Sequence, residues 1–131
     1  MRAEMVVASL LNGAGPVTAI VGQKISAVMA ERGVDAPFLV YWKEAADRDQ
    51  VLAMNGPGVV RAVIGVQYVA LDYPTLKTLA EAGRVALVGQ FGQIAGVTVN
   101  SIQVAGEGPD VYDPELQLFA QLWQFLVTHQ E

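Results

Sequence analysis

Apolar and polar positions change period several times along this chain, and each change marks an element. Ala3, Val6, Val7, Leu10 and Leu11 recur three and four residues apart, the stripe of an amphipathic helix that Gly13 closes. Gly15-Pro16 restarts a short helical turn with Val17, Ile20 and Val21 inward, ended by Gly22. A first strand is expected over Lys24–Met29. Pro37 opens a second, reaching about Ala45, in which Phe38, Val40 and Trp42 share one face and Leu39, Tyr41 and Lys43 the other. Glu44 to Gly58 is punctuated by Asn55-Gly56 and Pro57-Gly58 and reads as a flexible connection within an antiparallel pair, longer than a hairpin needs.

Val59–Val69 alternates as a long strand, and Asp72-Tyr73-Pro74 turns it into a helix running to Gly89. Asp72 is placed to cap that helix, Pro74 sits in the first turn where its missing N–H costs nothing, and Leu76, Leu79, Ala80 and Leu87 form the buried stripe. Gly83 lies on the same stripe, which predicts a close approach of helix to sheet. Gly96–Val104 reads as a strand whose apolar residues switch from odd positions (Val97, Val99) to even ones (Ile102, Val104), so a β-bulge is expected near Asn100-Ser101. The last segment fits two periods. Leu116, Phe119, Ala120, Trp123 and Val127 have helical spacing after a helix-start signal at Asp113-Pro114-Glu115; as a strand, Phe119, Trp123, Phe125 and Val127 line one face and Leu118, Ala120, Leu122 and Leu126 the other. Periodicity alone slightly favours the helix.

A chain of 131 residues is expected to form one domain. With 53% hydrophobic and 16% charged residues, it carries more apolar material than such a core hides, and the surplus is read as surface for other subunits. A net charge of −5 argues against a protein that grips nucleic acid, which needs clustered Lys and Arg. Cysteine is absent, so disulfide and thiol chemistry are excluded. No run of about 18 uninterrupted apolar residues occurs and the N-terminus lacks a secretory pattern, so a cytosolic protein without a membrane span is expected.

Several motifs in order resemble the tail completion proteins of tailed phages and prophages, a family similar to the lambda-type tail terminators. They are Thr18-Ala19-Ile20-Val21-Gly22-Gln23-Lys24-Ile25, then Ala36-Pro37-Phe38-Leu39-Val40-Tyr41, then the strand from Val59 with its early Arg61 and its Val66-Gln67 step. The helix ending in Ala86-Leu87 and the stretch Asp110-Val111-Tyr112-Asp113-Pro114-Glu115 before an apolar last segment complete the series. The chain departs from the family in a less charged central strand and a less basic last segment. The resemblance implies an α+β fold: a mostly antiparallel twisted sheet, one long helix packed on a face and short N-terminal helices at an edge. It also favours a strand for the last segment, and that reading is adopted.

Candidate chemistry is sparse. His129 is the sole histidine and is read as an exposed tail residue, since one imidazole cannot make a structural zinc site. Ser101, His129 and Asp113 could be assembled into a triad on paper, but Ser101 lacks the strained Gly-x-Ser-x-Gly elbow. Glu44, Asp47 and Asp49 alternate with Lys43 and Arg48, as in a solvated loop rather than a metal or acid–base site. Gly13, Gly15 and Gly22 have no Gly-Lys-Ser/Thr to make a phosphate loop. Tyr41, Trp42, Tyr68, Trp123 and Phe125 could line a ligand pocket, though such aromatics are more often core or interface anchors. No catalytic residue, cofactor or metal is therefore expected.

Interface candidates are Glu44, Asp47, Arg48, Asp49, Met54, Arg61, Gln67, Gln121 and Gln124; the glutamines offer hydrogen bonds without buried charge. The resemblance implies a non-enzymatic virion tail protein, assembled in the host cytoplasm, that forms a ring of six copies on the head-proximal end of the tail tube. There it would end tube polymerisation and prepare head joining, with itself, the tail tube protein and a head-completion or connector protein as partners, and no specific nucleic acid or membrane. The competing readings are a small-molecule-binding or enzymatic α+β domain and a cellular adaptor.

Overall fold

The computed structural model describes residues 2–29, 35–49 and 58–130. Within them the chain forms α1 (Arg2–Asn12), α2 (Gly15–Val21), β1 (Ile25–Ala27), β2 (Phe38–Asp49), β3 (Val59–Ala70), α3 (Tyr73–Leu87), β4 (Gly92–Ile94), β5 (Val97–Glu107), β6 (Val111–Asp113) and β7 (Leu118–Gln130). The strands make one sheet in the order β1-β2-β3-β7-β5-β4, with β6 beside the start of β7. Every pairing is antiparallel except β1 with β2, so the fold is α+β as expected.

All three helices contribute to one layer. Leu76, Leu79, Ala80, Gly83 and Leu87 of α3 are buried, and α1 brings Ala3, Val6, Val7 and Leu11 onto the same sheet face, against β1, β2 and β3 and, because the sheet curls, also against β4 at its other edge, with α2 against α3. The Asp72 carboxylate accepts the Thr75 N–H at 2.8 Å, the cap that starts α3. That hydrogen bond also holds the Asp72 carboxyl below the usual carboxylate range. A Cβ added to Gly83 would lie 2.1 Å from the hydroxyl oxygen of Tyr68, so helix and strand meet at the distance the bare glycine allows. Among the described residues no single helix is long and apolar enough to cross a membrane.

The last segment is a strand. Its helix-start signal is consumed locally: Asp113 Oδ1 accepts the Glu115 N–H at 2.9 Å and the Leu116 N–H at 3.2 Å, closing a turn between β6 and β7 rather than opening a helix. β7 then pairs with β3 from Phe119 to Gln130, with Trp123, Phe125 and Val127 buried beneath the helices. The bulge in β5 lies where the apolar phase changes, between Val99 and Ser101, and it turns Ile102 back into the core; a second falls between Val104 and Gly106.

The boundaries shift in several strands: β1 is shorter than Lys24–Met29, β5 runs past Val104 to Glu107, and β2 differs most. Glu44–Asp49 is not part of a connection: β2 continues to Asp49, passing a bulge between Lys43 and Ala45, and Asp49 pairs with Val59. Lys43–Asp47 is exposed on both faces of the strand and gives no apolar alternation to read, so its composition imitates a loop. The rest of that expected connection, with Met54, lies outside the described residues.

Candidate functional site

The sheet face opposite the helices carries no helix among the described residues. By register it presents Phe38, Val40 and Trp42 from β2, Val63, Gln67 and Val69 from β3, and Leu118, Ala120, Leu122 and Leu126 from β7. Most of these are only half-buried. A central strand apolar on both sides needs cover on both sides, and among the described residues one side lacks it.

Five sequence-predicted interface residues converge on this face. Gln124 donates to the Glu44 carboxylate across the intervening β3, and the contact is permitted by Gly65, where a Cβ would come within 3.0 Å of both Glu44 Oε1 and the Trp42 ring. Asp47 stands directly opposite Arg61 in the β2–β3 ladder, and Gln67 lies further along the same face between Val40 and Leu122. Arg48 and Asp49 hold register positions opposite Val60 and Val59. The role of Gly65 went unread; an isolated glycine within an apolar strand was the signal available.

Two readings are corrected. Gln121 belongs to the opposite, helix-covered face, 3% exposed, where its Nε2 donates to the Gly108 carbonyl at 2.9 Å. His129 is not an exposed tail residue: it is also 3% exposed, because β7 continues past it and Val60 and Val99 flank it in register. Its Nδ1 lies 2.9 Å from the Gln130 carbonyl.

At one end of the open face an apolar groove of 440 Å³ is lined by Phe38, Val40, Val69, Leu118 and Ala120, with Val28, Met29, Val111 and Leu116 on its rim. Val28 and Met29 are about three-quarters exposed (73% and 74%), and Val28 holds a φ of 68°, a left-handed conformation that is strained for a β-branched residue. Nearby, Asp110 ties the β5–β6 connection to α3, accepting from the Tyr73 hydroxyl at 2.7 Å and the Lys77 ammonium at 2.6 Å. The Lys77 hydrogen bond is the main reason the Asp110 carboxyl titrates below its ordinary value.

The enzymatic arrangements do not assemble. Asp113 pairs at the first residue of β7 and His129 sits near its last, roughly 35 Å away at about 3.3 Å per residue. Trp123, Phe125 and Tyr68 are core, while Trp42 faces the open side, so the aromatics do not line one pocket. No cluster of potential metal ligands occurs among the described residues.

No protein-family model matches the chain, and none of the curated proteins does. Among solved structures it is similar to a chain described as "Virion of native gene transfer agent (GTA) particle", with a TM-score of 0.69 and 16% sequence identity, covering 98% of this chain and 97% of that one. At this identity the likeness is one of fold, and it extends end to end in both chains.

Proposed function

We propose that this chain is a structural protein of a phage-like particle, acting as a ring at the head-proximal end of the tail tube, where it ends tube polymerisation and offers a surface for head joining. The observation that carries the reading is the end-to-end fold likeness to a chain of a gene transfer agent virion, at nearly equal length. The sequence resemblance to tail completion proteins supports the finer role. So does the half-exposed sheet face, whose apolar centre and polar flank of Glu44, Asp47, Arg61, Gln67 and Gln124 suit a contact between protein subunits. Six copies would match the symmetry of the tube.

The test is reconstitution with the cognate tail tube protein. Light scattering and negative-stain microscopy are expected to show closed rings at high concentration or on tube ends, and tubes that stop growing once the protein is added. A strict monomer at every concentration, with no effect on tube growth, would overturn the reading.

A further inference from the structure

Among the described residues, two stretches of sheet edge have no strand beside them. β1 covers β2 only opposite Leu39–Tyr41, with the Val28 N–H donating to the Tyr41 carbonyl at 2.8 Å, so from Trp42 to Asp49 β2 has β3 on one side and no described strand on the other. On the far side, β4 covers β5 only at Val97–Val99, the Gly89 N–H adds a bond to the Ile102 carbonyl at 3.1 Å, and Gln103–Glu107 has β7 alone among the described residues. The side chains of Lys43–Asp47 are exposed, as are those of Gln103, Val104, Ala105 and Glu107. Such edges leave a row of backbone donors and acceptors ready for another strand.

Strand direction makes the two edges compatible. β2, β3, β7 and β5 are each antiparallel to the next, so β2 and β5 run in opposite directions. A second copy in the same orientation, set beside the first, therefore brings its β5 antiparallel to the first copy's β2 without inversion. That contact is head-to-tail, the kind that closes into a ring.

The flanks match as well. Val104, opposite Phe125 in register and 41% exposed, lies on the helix-covered face at the β5 edge. On the same face at the β2 edge, Met5, Ala8, Tyr41 and Lys43 line a groove of 230 Å³. Lys43 and Glu107 also belong to that face and bring opposite charges to the two edges.

We infer that neighbouring copies in the ring, whose existence rests on the functional reading above, join by strand addition: Gln103–Glu107 of one copy extends the sheet of the next along Trp42–Asp49. The sheet is then continuous around the ring, and the apolar open face is left for the tube or the head-side partner.

The chain has no cysteine, so disulfide trapping reads this directly. Lys43→Cys is combined with Glu107→Cys on the helix-covered face, and Ala45→Cys with Gln103→Cys on the open face, since side chains directly opposite on one face of an antiparallel pair come within disulfide reach. Oxidation in the presence of tail tube protein is expected to give, from at least one double variant, a ladder of covalent oligomers ending at the ring size. Single variants stop at dimers. Rings visible by microscopy with no ladder from any pairing would overturn the strand-addition joint while leaving the ring intact. Absence of both rings and ladders would overturn the joint together with the functional reading.

Discussion

Tyr68 and Gly83 show how single residues set the layer spacing. The Tyr68 ring is fully buried, its hydroxyl has no hydrogen-bond partner among the described residues, and burial pushes its pKa upward. Gly83→Ala should cost roughly 1 to 3 kcal/mol by overpacking, read as a lower denaturant midpoint. Tyr68→Phe should melt no lower than the parent, because the hydroxyl it removes is desolvated without compensation; in the double variant part of the Gly83→Ala loss should be recovered. The glycine was legible, since it interrupts a helical stripe that has no other reason to tolerate it. His129 and Gln121 were misread although both share odd parity with Trp123, Phe125 and Val127. A polar side chain near a chain end looks exposed until the neighbouring strands that cover it are known, and those come from residues far away in sequence.

Among the elements, β7 was ambiguous because its apolar residues satisfy both periods and the Asp113 signal serves a turn as well as a helix. Tertiary pairing decided it: β3 and β5 flank the strand, and only alternation then buries Trp123, Phe125 and Val127 together. Trp123→Ala should cost roughly 3 to 5 kcal/mol through the cavity it leaves, with little soluble protein recovered. The β5 bulge was legible from the phase change alone. Deleting Asn100, the extra residue, should iron the bulge out while Ile102 keeps its place opposite Val127 on the core face, so the thermal melt should stay cooperative.

The N-terminal end of α3 carries a pH dependence. The carboxyls of Asp72 and Asp110 are lowered by hydrogen bonds from Thr75 and Lys77, so their contributions are complete above the ordinary carboxylate pKa and are lost as pH falls through the lowered values. Lys77 is raised, chiefly by Asp110, so its share is lost only at alkaline pH. The Tm should therefore fall on acidification, and less steeply in Asp110→Asn than in the parent.

At the scale of the whole molecule, the surplus of apolar residues in the composition appears in the fold as a half-exposed sheet face and two open edges. The sequence marked much of that face through Glu44, Asp47, Arg61, Gln67 and Gln124, but assigned Glu44–Asp49 to a loop. Replacing Ala46 to Met54 with a short Gly-Ser linker would have been nearly neutral for a loop. It should now be destabilising, because it removes Ala46–Asp49 from the ladder with β3. The proposed capping of a tail tube is decided by tail lengths, measured by electron microscopy in particles produced without this chain. Overlong tubes or tails without heads are expected, restored to normal length when the chain is supplied again; normal, head-bearing tails in its absence would overturn the proposal.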